Sequence, residues 1–288
     1  MKSPGKNLRS YIELTRLNRP IGIYLLLWPT LWALWIAAEG WPGWHLFLVF
    51  TLGTILTRSA GCIVNDVLDQ KFDGRVKRTK NRVMASGKVD SVEAIILAIG
   101  ITSVALLLVL TTNILTMGLA AIAAVITVIY PLMKRYTYVP QIILGVAFSM
   151  GIPMAFSAST GGVAIIAWLL LIANLLWVVA YDTQYAMVDR DDDLLLGLKS
   201  TAILFDDLDR HMIALLQLTF IAAMLLTGHN LEFSVWYFLG LATALILFIY
   251  QHYLTWARSR DGCFNAFLNN HWVGLSIFFG IAVQYQVG

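Results

Sequence analysis

Nine runs of mostly apolar residues divide this chain, at roughly 20–38, 46–66, 92–110, 114–131, 139–157, 164–186, 211–228, 233–255 and 270–287. Each is close to the ~20 residues a helix needs to cross a bilayer. The bilayer core offers no water to the backbone, so a spanning segment must satisfy its own N–H and C=O groups, which a helix does internally. Barrel strands are excluded because the runs are far longer than such strands and lack strict alternation. The expectation is an all-α fold: a polytopic membrane bundle of nine transmembrane helices in one integral membrane domain over 1–288. The charge content agrees, since only 13% of residues are charged against about a quarter in soluble domains. That excludes a water-soluble globule, and the 59% hydrophobic content excludes a disordered chain. A formal net charge of +3 is too mild to suggest nucleic acid as a partner, and two cysteines, Cys62 and Cys263, exclude a disulfide scaffold. No obligate protein partner is evident in the sequence.

The basic residues orient the bundle. The links 39–45, 111–113, 158–163 and 229–232 contain no Lys or Arg. The alternate links and the N-terminal stretch hold every basic residue except Arg58, which lies inside a span. By the positive-inside rule that side is cytoplasmic, with the N-terminus inside and the C-terminus outside. The N-terminal stretch has no cleavable signal pattern and leads directly into the first span. The localisation expected is an integral protein of a bacterial inner membrane, with its active site at the cytoplasmic side.

In such a chain the few acidic residues are informative, because each charge is costly near lipid. Asn65, Asp66, Asp69 and Asp73 follow the second span; Asp182, Asp189, Asp191, Asp192 and Asp193 close the sixth. Both spans run outside to inside, so both motifs emerge at one face. Residues four or seven apart share a helix face. Asn65, Asp69 and Asp73 therefore form one stripe, and Asp182, Asp189 and Asp193 another. The shared offset of Asn65/Asp69 and Asp189/Asp193 suggests a weak internal repeat of about four spans. Clustered carboxylates need a cation, and Mg²⁺ takes one or two carboxylates together with substrate phosphate oxygens. Two facing stripes would thus bridge to a diphosphate, with neighbouring basic residues neutralising the remaining charge. Arg75, Lys77, Arg78, Arg82, Lys134, Arg135, Arg190 and Lys199 are the cations within reach by sequence. The alternative is a set of solvated interfacial charges.

Arg58 precedes Asn65 by seven residues and shares its stripe, about 10 Å deeper in the membrane. A buried arginine there is a functional candidate, and its fork suits a carboxylate. The competing reading pairs it with Asp66 or Asp182, or lets it snorkel. The remaining features are weaker. The five histidines show no ligand spacing, and Trp28, Trp32 and Trp35 recur at helical spacing as packing residues. Trp41 and Trp44 fit an interfacial aromatic belt. Met150, Met154, Phe148 and Phe156 are core or a lipid-chain tunnel, and Pro131 and Pro153 mark a helix end and a kink.

The strings Asn65 to Asp73 with Gly74-Arg75-Val76-Lys77-Arg78-Thr79, and Tyr181 to Asp189 with Asp191 to Asp193, resemble the two signatures of UbiA-type intramembrane prenyltransferases. The segments Tyr130 to Thr137, Pro140-Gln141, Pro20-Ile21-Gly22 and Leu25 to Thr30 are similar to family segments too. The likeness covers nearly the whole chain and is strongest to members that prenylate 4-hydroxybenzoate in ubiquinone synthesis. It implies nine helices around a central cavity, Mg²⁺ dependence and a polyprenyl diphosphate donor drawn from the lipid bilayer. It places Asn65 and Asp69 in one metal site and Asp189 and Asp193 in the other, with Asp66, Asp73 and Asp182 supporting or sharing ligation. Lys134 with Arg75 or Arg78 would contact diphosphate, and Lys199 would assist. Arg58 would hold the acceptor carboxylate, and Asp182 would take the phenolic or ring proton. The competing classes are a cation-coupled transporter, a UbiA-type enzyme with another acceptor, and a lipid phosphotransferase. A transporter site usually lies near the midplane on broken helices, not at helix ends beside basic links.

Overall fold

The computed structural model describes residues 4–74, 79 and 81–287, and for 4–7 and 71–73 the backbone only. Every regular element among the described residues is helical. A short helix α1 (Pro4–Leu14) precedes α2 (Ile21–Ala37), α3 (Gly43–Asp73), α4 (Ser91–Val109) and α5 (Ile114–Met133). Then come α6 (Pro140–Ser149), α7 (Gly151–Thr160), α8 (Ile165–Leu196), α9 (Thr201–Phe205), α10 (Asp209–Asn230), α11 (Val235–Leu254) and α12 (Arg260–Val287). Eight stretches are long and apolar enough to cross a membrane, with α6 and α7 forming one of them. The apolar α2, 17 residues long, is the ninth. The expected nine spans are thus all present.

Helix and apolar run do not end together. The helices α3 and α8 have 31 and 32 residues, which is roughly 46–48 Å of helix against a hydrocarbon core of about 30 Å. Both continue past their apolar residues because a helix satisfies its own backbone and needs no lipid to persist. Both acidic motifs therefore stay helical. The end of α8 is set by Gly197, whose φ of +67° is left-handed; the Leu198 N–H bonds back to the Asp193 carbonyl at 3.0 Å. The span expected at 139–157 is broken at Met150, and Pro153, which lacks an N–H, sits in the first turn of α7. Pro131 lies inside α5, two residues before its end at Met133, rather than at the end itself.

Packing is uneven. The main core joins α2, the first half of α3, α6, α7, α8, α10, α11 and α12. Its centre is an aromatic stack in which Trp177 lies 5.4 Å from Trp32 and 5.7 Å from Phe220, ring centre to ring centre. The helix α8 is buried along most of its length, from Ala167 to Asp189. By contrast α4 buries only Ala94, Ala98 and Ala105, and α5 only Thr116 and Pro131. Leu97, Ile101, Leu108 and Tyr130 pack partly against the two cores, and exposed apolar side chains such as Leu107 and Val125 turn outward. Trp41 and Trp44 are exposed at the end of the bundle opposite the motifs, where an aromatic belt is expected.

A second, smaller core lies at the motif end. Leu14 from α1, Ile63 from α3, Ala94 and Ala98 from α4, and Val83, Met84 and Val89 from the α3–α4 link pack together. The motif end of α3 thus rests on a local cluster, and the motif end of α8 continues out of the main core.

Candidate functional site

On α3 the unbroken helix puts Arg58, Asn65 and Asp69 along one line, as the spacing predicts. The Asp69 carboxylate lies 3.6 Å from the Arg135 guanidinium, which also donates to the Leu68 carbonyl at 3.2 Å. Asp66, expected among the metal ligands, is held elsewhere. Arg16 donates to both its oxygens at 2.8 and 2.7 Å, and Arg82 donates to one of them at 3.0 Å. The side chain of Asp73, and Arg75 and Arg78 entirely, lie outside the described residues.

The acidic run on α8 also divides. Asp191 and Asp192 turn to the start of α12, where Arg260 meets them at 3.3 and 2.9 Å. Arg190 turns to Asp206 and to the buried Asp209, 3.5 Å away, which Arg258 also pairs at 3.0 Å. Asp182 and Asp189 are buried, at 9% and 8% exposure. Asp182, Asp189 and Asp193 therefore form the α8 stripe, and the acidic residues beside them fasten neighbouring helices.

A chain of side-chain amides sets how α8 sits against its neighbours. The Trp177 indole donates to Asn270 at 2.9 Å, Asn270 donates to Gln184 at 2.9 Å, and Gln184 donates to Gln251 at 3.1 Å. Gln217 donates to the same Gln251 oxygen at 3.0 Å, and Gln251 donates onward to Asn269 at 3.0 Å. These bonds join α8, α10, α11 and α12 inside the bundle. Such bonds hold membrane helices together where burial of apolar surface gives no drive.

Lys134, just beyond the end of α5, feels the charge of both stripes. Tyr130, together with Asp69 from one motif and Asp182 and Asp193 from the other, raises the Lys134 pKa above the ordinary lysine value, against the opposing effect of burial. One ammonium thus lies within electrostatic reach of both motifs. Lys199 does not join it. Its ammonium donates to the Tyr136 carbonyl at 3.2 Å and sits 5.1 Å from the centre of the Tyr138 ring. Its backbone N–H bonds to the Lys134 carbonyl at 3.0 Å, so Lys199 braces the Lys134 turn.

Deeper on the α3 stripe, Arg58 makes no ion pair with Asp66 or Asp182. Its guanidinium lies over the Phe148 ring, 5.4 Å from the centre. Tyr130, Tyr181 and Tyr185 are its polar neighbours. The Arg58 Nε and the Tyr181 hydroxyl are both buried without a hydrogen-bond partner. Gly22 on α2 makes this placement possible, because a Cβ there would stand 2.5 Å from the Arg58 Nε. Tyr181 and Gly22 were not singled out in the sequence, although both lie in strings that carry the family likeness. Nothing in the sequence pairs Arg16 or Arg82 with Asp66, which lies 50 and 16 residues away.

The donor set suits a hard cation. Among the described residues no three acidic, histidine or cysteine side chains converge into a closed metal cluster. A hard cation such as Mg²⁺ binds one or two carboxylates and completes its shell with substrate phosphate oxygens and water. Asn65 and Asp69 on one wall and Asp189 and Asp193 on the other supply oxygen donors in that number.

Known proteins resemble this chain in both sequence and fold. The model of the UbiA prenyltransferase family matches residues 26–275. The 4-hydroxybenzoate octaprenyltransferase of Ectopseudomonas mendocina (strain ymp) is 53% identical over 277 residues, covering 96% of this chain and 94% of that protein. The protein of the same name from Pseudoalteromonas translucida (strain TAC 125) is 54% identical, with 96% and 95% covered. Among solved structures, the apo UbiA homolog from Aeropyrum pernix K1 superposes with a TM-score of 0.81 at 20% identity, covering 90% of this chain and 97% of that one. A UbiA homolog from Archaeoglobus fulgidus bound to GPP and Mg²⁺ gives a TM-score of 0.74 at 15% identity, with 95% and 99% covered.

Proposed function

The chain belongs to the UbiA prenyltransferase family, and on that premise we propose that it transfers a polyprenyl group from polyprenyl diphosphate to 4-hydroxybenzoate. The new bond forms at the ring carbon next to the hydroxyl, an early membrane step of ubiquinone biosynthesis. The observation that carries this reading is that one ammonium, Lys134, lies within electrostatic reach of carboxylates from both stripes, on the side of a buried arginine whose Nε has no hydrogen-bond partner among the described residues.

Asn65 and Asp69, and across from them Asp189 and Asp193, would hold Mg²⁺. When bound, the cation supplies charge neutralisation to the leaving diphosphate. Lys134 would hold phosphate oxygens as a positive charge at the edge of both stripes. Arg58 holds the acceptor carboxylate between Phe148 and Gly22, and the Tyr181 hydroxyl donates to the same substrate. The apolar walls exclude water while the allylic C–O bond breaks and its electron pair leaves with the diphosphate. The ring π electrons form the new C–C bond, and Asp182 takes the displaced ring proton. The prenyl tail lies in lipid, which explains a site built at the ends of membrane helices. By the positive-inside rule, the basic residues of the motif face support a site at the cytoplasmic side of a bacterial inner membrane.

The direct test is an assay of membranes containing the protein, with labelled 4-hydroxybenzoate and a polyprenyl diphosphate. Product is expected with Mg²⁺ and lost with chelator; Mg²⁺-independent transfer overturns the metal assignment. Arg58→Ala is expected to raise the KM for 4-hydroxybenzoate about tenfold or more, with the donor KM little changed. An equal rise in both would move Arg58 to a structural role.

A further inference from the structure

Asp66 stands next to Asn65 and three residues before Asp69, yet its surroundings differ from theirs. Its side chain is 1% exposed and lies between Arg16 and Arg82. Around α3 it is displaced by about 80° from the line of Arg58, Asn65 and Asp69. Both carboxylate oxygens receive guanidinium bonds, two from Arg16 and one from Arg82.

The backbone at Arg16 indicates what the pairing is for. Arg16 closes α1 with φ at +60°, a left-handed position usually filled by glycine. The Leu17 N–H returns to the Ile12 carbonyl at 3.1 Å, the bond pattern of such a helix end. An arginine is disfavoured in that conformation. Here its side chain donates to the Glu13 carbonyl at 3.0 Å and to Asp66, two contacts glycine could not make. Arg82 reaches the same carboxylate from the α3–α4 link, directly before Val83 and Met84 of the small core. One carboxylate therefore joins the end of α1, the motif end of α3 and the link.

The main core does not reach this end of α3. Its α3 members are Val49 and Phe50, with Leu46 and Phe47 beside them, all at the opposite end of the helix. At Asn65 and Asp69, α3 is held by the small core, by Asp66, and by Arg135, which meets Asp69 and the Leu68 carbonyl. We propose that Asp66 is a positioning residue: its ion pairs with Arg16 and Arg82 aim the Asn65 and Asp69 side chains at the diphosphate site, and Asp66 itself touches neither metal nor substrate. The proposal rests on the diphosphate-binding reading above.

The test measures binding of inorganic pyrophosphate with Mg²⁺ to the purified protein in detergent, by calorimetry, for Arg16→Gln, Arg82→Gln, Asp66→Asn, Asp66→Glu and the double variant Asp66→Asn/Arg16→Gln. Each arginine variant is expected to bind pyrophosphate about tenfold more weakly, and the double variant to lie within about twofold of Asp66→Asn alone, since coupled groups are not additive. Asp66→Glu is expected to restore binding, because it keeps both pairs. Arg16→Gln and Arg82→Gln that bind like the parent, beside a defective Asp66→Asn, would return Asp66 to the metal ligands and overturn the proposal. A fall in melting temperature with pyrophosphate binding unchanged would reduce the pairs to structural supports and also overturn it. A parent protein that binds no pyrophosphate removes the diphosphate reading and this proposal together, a result distinct from either of those.

Discussion

The helices α3 and α8 carry equivalent chemistry on unequal supports. Each ends in a carboxylate stripe at the same face, and each keeps part of its motif out of the stripe. Asp66 goes to Arg16 and Arg82, and Asp191 and Asp192 go to Arg260. Yet α8 is buried from Ala167 to Asp189 and tied by the amide chain to α10, α11 and α12. Its partner α3 meets a small cluster at its motif end, and its neighbours α4 and α5 bury almost nothing. The α8 wall is fixed by the core of the molecule. The α3 wall is fixed locally, by a few residues near the stripe. Equal chemistry thus does not require equal packing, and the two walls should answer differently to substitution.

The largest effect tests the equality. Asp69→Ala and Asp189→Ala are each expected to lower kcat by about 100-fold or more, the scale for removing a main electrostatic contact of a transition state. Melting temperatures should stay near the parent value. Losses differing by more than about tenfold would show that the walls share the chemistry unequally and would break the comparison at its base.

The next effect tests the inequality of support. Trp177→Ala removes the centre of the aromatic stack beside α8 and is expected to cost about 3–5 kcal/mol, read as a large fall in thermal stability. Met84→Ala empties a buried position in the small core under α3. It should weaken pyrophosphate binding by a larger factor than its modest fall in melting temperature suggests. If Met84→Ala instead lowers global stability as much as Trp177→Ala, the α3 end is continuous with the main core.

These contrasts were partly legible in the sequence. The bilayer demands about 20 apolar residues per span, so the nine spans could be read directly. The i,i+4 rule likewise placed Asn65 with Asp69 and Asp189 with Asp193. Pro153 announced a kink in the fifth span, and the helical stripes implied that α3 and α8 run on past their apolar residues; the exact break at Met150 leaves no mark in hydropathy. Asp66 stood inside the motif and read as a ligand or a support of the site. Two of its partners, Arg16 and Arg82, come from the end of α1 and the far end of a link, contacts that only the fold creates. Lys199 looked like a phosphate contact for the same reason, until the backbone placed its ammonium on Tyr136 and Tyr138. The orphaned Nε of Arg58 depends on Gly22, whose significance lies in a close approach between α2 and α3 that spacing alone does not reveal.

The amide chain offers a finer test of the α8 wall. Gln251 accepts from Gln184 and Gln217 and donates to Asn269. Gln251→Leu leaves two amide donors and one acceptor without this partner inside the bundle. A cost of about 1–2 kcal/mol is expected, below that of Trp177→Ala because an amide chain can relax onto other groups where an emptied ring site cannot. An unchanged melting temperature would mean that the aromatic stack alone fixes α8.

The smallest expected effect completes the contrast. Leu107 on α4 is 64% exposed and faces lipid. Leu107→Ala exchanges one apolar side chain for a smaller one against acyl chains and opens no cavity, since lipid fills the space. The change in stability should stay within about 0.5 kcal/mol, and pyrophosphate binding should not move. A clear loss of binding would mean that α4, though lipid-facing, transmits force to Asn65 and Asp69 through the small core. The α3 wall would then extend one helix further than its packing indicates.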